Sequence, residues 1–188
     1  MRCGCTCATA RASGIITDGG QAVNIIPERA ECLFLARAKS SKYAKEIGAR
    51  VIRCAEAAAM ATGTRVEHTI EGGYKNLINN LSMAHRYAAH SEALGTKSPE
   101  APANTPTGST DMGDVSHVMP AIHPAFAISR RGEGNCHEDA FVAHADSQRG
   151  YDAMIRVAKA MAMTAYDLLA EPELLASAKR EFEARKES

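Results

Sequence analysis

Residues 30–63, AECLFLARAKSSKYAKEIGARVIRCAEAAAMATG, decide the fold. Their first part, Ala30-Glu31-Cys32-Leu33-Phe34-Leu35-Ala36-Arg37, is a short apolar run that reads as a strand. Ser40 or Ser41 then offers a side-chain oxygen to cap a helix, which the pattern carries to about Ala61. Tyr43, Ile47, Val51, Cys54 and Ala58 recur every three or four residues and make one apolar stripe. Lys45, Glu46, Arg50 and Arg53 fall mostly outside it. Gly63 can take the left-handed conformation that ends a helix.

Upstream, Ser13-Gly14-Ile15-Ile16-Thr17 is β-prone and ends at the turn signal Asp18-Gly19-Gly20. Pro27 cannot donate a ladder hydrogen bond, so Asn24-Ile25-Ile26-Pro27 is an edge or a connection. Downstream, residues 64–71 alternate as a strand and close at Gly72-Gly73. The order strand, strand, helix, strand predicts a helix laid on an antiparallel sheet.

A second region starts near Asn76. Leu77, Leu81, Ala84 and Ala88 predict a helix to about Leu94, stopped by Gly95. Pro99, Pro102 and Pro106 make residues 96–107 a loop. Residues 108–114 are turn-rich; Asp111 and Asp114 could be metal ligands by residue type, but the turn-rich setting favours backbone capping. Residues 115–119 and 122–128 read as short strands around Pro120. A helix is predicted over 147–169, with Tyr151, Met154, Ile155, Ala158, Met161, Ala162, Ala165 and Leu168 inside. Met154, Met161 and Met163 read as core fillers. Pro172 opens a last helix as a first-turn proline, and residues 181–188 read as a solvated, charged tail. The expected class is α/β: a leader at 1–10, an α+β domain at 11–75, and an α/β layer at 76–188.

Lys plus Arg equals Asp plus Glu at 22 each, so no net charge favours nucleic acid or an anionic membrane. The hydrophobic fraction is 45% but aromatics are only 5%, which favours alanine-rich helices over a β-sandwich. No apolar run reaches the roughly 20 residues of a membrane span. Cys3, Cys5, Cys7, Cys32, Cys54 and Cys136 lack the spacing of a disulfide framework. Reduced cysteines and a cytoplasmic location are expected. Zinc sites separate paired cysteines by about two to four residues, so the first three cysteines are not read as ligands.

Several segments, in order, resemble one family. Gly14-Ile15-Ile16-Thr17-Asp18-Gly19-Gly20, Asn24-Ile25-Ile26-Pro27 and Arg37-Ala38 look like the dimerisation (lid) domain of peptidase family M twenty. Its members are aminoacylase and carboxypeptidase G-like zinc amidohydrolases. Gly108-Ser109-Thr110-Asp111-Met112-Gly113-Asp114-Val115-Ser116, Pro120 and Ile122-His123-Pro124 resemble the return of the catalytic domain in the aminobenzoyl-glutamate hydrolase and dipeptidase branch. Cys136-His137-Glu138-Asp139-Ala140-Phe141 sits where the family has a histidine motif, and Ala158-Lys159-Ala160-Met161-Ala162-Met163-Thr164-Ala165 also matches. Two departures are plain. Ser13 stands where a histidine is frequent, and Glu138 replaces a threonine.

The resemblance implies an enzyme that cleaves the amide bond of N-acyl amino acids, aminobenzoyl-glutamate-like compounds or dipeptides. Two zinc ions, roughly 3.5–4 Å apart, would activate a water. His137 would be a metal ligand, imidazole nitrogen being a natural donor to zinc. Asn24 and Arg37 would hold the substrate's α-carboxylate, since a guanidinium grips a carboxylate through two parallel bonds. Gly108, Ser109 and Thr110 either bring backbone amides to the substrate or form a plain tight turn. His117 and His123 rank second, while His68, His85, His90 and His144 read as ordinary surface or core histidines. The general base is expected outside this chain, along with the first lid strand and helix and the upstream catalytic half. The expected partners are a small-molecule substrate and either a homodimer mate or a complementing N-terminal fragment. A different class, a non-catalytic dimerisation or small-molecule-binding module, fits the same residues.

Overall fold

The structure is a computed structural model and describes residues 10–97, 108–130, 132–134 and 136–186. Cys3, Cys5 and Cys7 of the expected leader, residues 98–107 of the proline-bearing loop, and Asn135 lie outside the described residues. The chain divides into two units, Met1–Asn76 and Leu77–Ser188.

The first unit holds β1 (Arg11–Asp18), β2 (Glu31–Arg37) and α1 (Ser41–Thr62). The strands pair antiparallel, from Arg11↔Arg37 through Ile15↔Leu33 to Asp18↔Glu31, with an irregularity between Ile16 and Asp18. A Cβ on Gly14 would lie 2.5 Å from Phe34 Cδ1, so this glycine leaves room for the aromatic ring across the ladder. Helix α1 packs against both strands. Its cap is Ser40, whose Oγ accepts from Tyr43 N–H at 3.2 Å, and it ends at Gly63 with φ 68°. Ser41 Oγ donates to Asn76 Oδ1 at 2.9 Å and accepts from Asn76 N–H at 3.0 Å, which returns the unit's last residue to the start of α1.

Two details differ from the sequence reading. The half-buried stripe of α1 runs Tyr43, Ile47, Val51, Ala55 and Ala59, and Cys54 and Ala58 are exposed. The helix therefore keeps a four-residue step where a three-residue step was expected. Residues 64–71 form no strand. An alternating pattern becomes a strand only by pairing, and β1 and β2 take all of their ladder partners from each other.

The second unit holds α2 (Leu81–Ala93), α3 (Met112–Ser116), α4 (Asp139–Ala145), α5 (Gln148–Ala170) and α6 (Pro172–Lys186). Helices α2, α5 and α6 pack on one another, and α4 packs on α5. The mixed α/β class holds for the chain, but among the described residues its strands belong to the first unit alone. The strand expected over 115–119 falls in α3 and the turn after it, and residues 122–128 are irregular. Near them, one backbone bond joins Asn80 N–H to the Ala121 carbonyl at 2.8 Å, which is a bridge without a ladder.

The α5 helix has the expected period and a shifted phase. Gly150, Ala153, Val157, Ala160 and Thr164 are its buried residues. Met154, Ile155 and Met161 are about half exposed, at 49%, 49% and 53%, so they do not fill this core. Small side chains on the inner face let α2 approach closely, and the core is Tyr87 with Val157 and Ala160, flanked by Leu94 and Ile122. Helix α2 starts later than expected because Asn80 caps it, accepting from Met83 N–H at 3.1 Å. Gly150 lies so close to α4 that a Cβ there would be 2.6 Å from the His144 carbonyl.

Candidate functional site

In the first unit the residues to place are Asn24 and Arg37. Asn24 sits in the turn after Ala22, whose carbonyl accepts from Ile25 N–H at 3.1 Å. Arg37 closes β2 at the opposite end of the strand from that connection, and its register partner is Arg11. The strand from Glu31 to Arg37 covers about 20 Å at the usual rise. No hydrogen bond joins Asn24 to Arg37 among the described residues. Both side chains are exposed.

The ends of this hairpin differ in charge. At the connection, Arg29 is paired with Glu31 at 2.8 Å, and Thr17 Oγ1 bonds the same carboxylate. At the open end stand Arg11 and Arg37, followed by Lys39, Lys42 and Lys45, with no acidic residue between Glu31 and Glu46. Neither arginine is in an ion pair among the described residues.

In the second unit, Gly108 and Ser109 are exposed and Thr110 is half-buried. A Cβ on Gly108 would meet nothing within 4 Å, so no close approach requires a glycine there. The capping role expected of Asp111 passes to its neighbour. Asp111 makes no side-chain cap bond, and Thr110 Oγ1 accepts from Met112 N–H at 3.3 Å.

His137 lies in the turn before α4 with φ 74°, a left-handed conformation uncommon for a residue with a side chain. It is exposed and has no partner among the described residues. The turn is held from its other side, where the His144 ring bonds the Glu133 carbonyl at 2.9 Å. Zinc takes about four donors, and among the described residues no three histidine, cysteine, aspartate or glutamate side chains converge. His137 is a single imidazole, and these residues do not by themselves fit a zinc ion.

A polar cluster gathers around His90, which was read from sequence as an ordinary surface or core histidine. His90 Nε2 is 2.6 Å from Asp167 Oδ2, and Arg86 Nη1 donates to the same oxygen at 2.8 Å. Arg86 also grips Glu171 through both terminal nitrogens, at 2.8 and 2.6 Å. The His90 bond, outweighing partial burial and assisted by Arg86, holds the Asp167 carboxyl below its ordinary range. The signal was present in the sequence. Arg86 and His90 are one turn apart on α2, and Asp167 and Glu171 are one turn apart at the end of α5 and just beyond it.

Glu181, expected in a solvated tail, is a second such residue. It accepts from Leu81 N–H at 2.8 Å and Ser82 N–H at 2.9 Å, and so closes the N-terminus of α2. Burial alone would raise its pKa, but bonds from Leu81, Ser82 and the nearby Arg185 bring it below the ordinary value. Beside it is a cavity of about 240 Å³, lined by Ser116, His117, Pro120, Phe182 and Arg185. No described helix is long and apolar enough to cross a membrane.

No protein-family model matches the chain. Two curated proteins do. Over 180 residues, 94% of this chain, it is 38% identical to the Xaa-Arg dipeptidase of Mus musculus. Over 182 residues, again 94% of the chain, it is 38% identical to the Xaa-Arg dipeptidase of Homo sapiens. It spans 41% of the length of each. Nearly the whole chain is therefore similar to less than half of two mammalian dipeptidases.

Proposed function

We propose that the chain carries out part of a dipeptidase or N-acyl amino acid hydrolase reaction of the peptidase family M twenty type. The observation that supports this best is the 38% identity to Xaa-Arg dipeptidases over 94% of the chain. In this reading the first unit is part of a lid domain and the second is the C-terminal part of a catalytic domain. The exposed guanidinium of Arg37 orients the carboxylate of a substrate that carries one next to the scissile amide, and Asn24, beyond the far end of β2, is left out of that grip. A charge-assisted bond of this kind contributes about 1.5–3 kcal/mol. His137 contributes one imidazole to a metal site completed by residues outside those described. The proton acceptor for the attacking water also comes from outside this chain, so no catalytic step is assigned to its own residues. The partner is a complementing segment or chain, or a second copy.

The other reading, a binding module without activity, is favoured by the isolation of His137. One experiment separates the two. The chain is purified, its zinc is measured by elemental analysis, and dipeptide and aminobenzoyl-glutamate hydrolysis is assayed with added zinc. The assay is repeated after co-expression with a chain supplying the part of the dipeptidases that it does not match. Turnover only in the complemented sample, lost in His137→Ala, is the expected result. No turnover in either sample favours the module.

A further inference from the structure

Helix α5 is apolar around most of its circumference. At 3.6 residues per turn, its charged residues Arg149, Asp152, Arg156, Lys159 and Asp167 fall within a sector about 80° wide. Ala153, Val157, Ala160 and Thr164 fill a buried sector on another side. A third sector, about 140° wide, is apolar and exposed. Ala158, Ala162 and Ala165 run down its middle, Met154 and Met161 stand on one rim, and Tyr166 stands on the other. This is the stripe that the sequence assigns to the inside. A helix at a protein surface needs one apolar face, and α5 has two. Small residues in the middle and large ones at the rims flatten the cylinder. A flat face suits a sheet, whereas a partner helix seats ridges in grooves.

The segment beside this helix has the matching deficit. Residues 122–128 read as a strand, yet they make no backbone-to-backbone hydrogen bond among the described residues. They are laid along α5 all the same. Ile122 packs on the core at Val157 and Ala160, and the carbonyl of Ser129 accepts from Arg149 Nη2 at 3.3 Å. The segment therefore runs back along α5, with its ladder positions open. One missing element, a sheet, accounts for both the uncovered stripe and the unpaired strand pattern.

We propose that the exposed face of α5 and the segment 122–128 together receive a β-sheet supplied by another stretch of chain. The apolar face of that sheet lies on α5, and its edge strand pairs with 122–128. The occupant is the part of the Xaa-Arg dipeptidases that this chain does not match, which is more than half of their length. This rests on the reading of the second unit as part of a catalytic domain, and it names the surface through which that domain is completed.

The test co-expresses the full chain with the unmatched portion of the Mus musculus dipeptidase and measures the complex recovered. Ala162→Glu should lower that recovery about tenfold or more, because the carboxylate would be buried without a partner. The lone Ala162→Glu chain should melt with the parent, since position 162 is exposed and glutamate is a good helix former. Arg156→Glu, in the charged sector, should leave recovery unchanged. In the complex, the amides of residues 125–128 should exchange about 100-fold or more slowly than in the lone chain, as ladder amides do. No complex with the parent chain, unchanged recovery in Ala162→Glu, or unprotected amides at 125–128 overturns the proposal. So does a lowered melting temperature of lone Ala162→Glu, which would mean that the face is already packed. A dimer of the lone chain that Ala162→Glu dissolves and the dipeptidase portion does not displace makes a second copy the occupant, and also overturns it. If the complex hydrolyses dipeptides and Ala162→Glu changes neither recovery nor turnover, the dipeptidase reading stands and this inference fails. If Ala162→Glu breaks the complex but no sample hydrolyses dipeptides, this inference stands and the reading of the activity fails.

Discussion

Arg37 ends β2 with its side chain in solvent. Removing it takes away no core contact, so Arg37→Ala should keep the fold. In the complemented protein it should weaken a substrate bearing a free α-carboxylate by roughly 10- to 150-fold, from the 1.5–3 kcal/mol of such a bond. The amidated analogue should be little affected, and KM for the two compounds checks this. Gly14 gives the opposite case. A methyl group there would be 2.5 Å from the Phe34 ring and 2.9 Å from the Leu33 carbonyl. The ring can swing away, but the carbonyl belongs to the partner strand. Gly14→Ala should therefore cost about 1–3 kcal/mol, read as a lower melting temperature. Residue chemistry was legible where it depends on local conformation, as at Ser40, Gly63 and Pro172. It was illegible at Glu181, whose role depends on a helix start a hundred positions away.

At the scale of elements, α2 is fixed by two sets of carboxylates. Glu181 closes its N-terminus, and Asp167 and Glu171 hold Arg86 and His90 along its side. Glu181→Ala should cost about 0.5–2 kcal/mol, as loss of a helix cap does, and amide exchange should quicken first at Leu81 and Ser82. Asp167 and Glu181 are both held below the ordinary carboxyl range. Their contribution is therefore complete above the unfolded-state value of about 4 and is lost as pH falls through the lowered folded values. The midpoint of helix melting should hold steady from neutral pH to about pH 5 and then fall below pH 4. Asp167→Asn should be less stable than the parent at neutral pH, and the gap should narrow in acid. Four of the six described helices, α1, α2, α5 and α6, arise from segments whose period or capping residue was readable. The phase of α5 was not, because the larger apolar side chains face away while Ala153 and Ala160 set the packing distance. Nor were the missing strands, since a pleated pattern cannot state whether a neighbour will be there to pair with it.

For the molecule as a whole, much apolar surface stays in water. Ile15 is 63% exposed, Phe34 55%, Tyr166 70% and Leu169 87%. The Tyr87 hydroxyl is buried without a hydrogen-bond partner among the described residues. Each unit thus leaves large apolar side chains exposed, and exposed apolar area beyond what a monomer ordinarily shows marks a surface made for another protein segment. The purified chain should sediment as a concentration-dependent mixture, and the complementing chain should shift it to one discrete species. A single, concentration-independent monomer would count against a covered surface. The order of segments along the chain was legible from motifs. That no three candidate metal donors converge among the described residues was not, because a metal site gathers residues distant in sequence, and the sequence gives only their types.

The bond from Glu181 to the start of α2 also has a consequence for synthesis. Leu81 leaves the ribosome a hundred residues before its capping carboxylate does. At about 5–20 residues per second, the first turn of α2 waits about 5–20 s for that partner. During this interval its leading amides can be satisfied only by water, by Asn80, or by a chaperone. Slowing translation over residues 82–180 should therefore lengthen the period in which the nascent second unit is open to a protease, without changing the stability of the released protein.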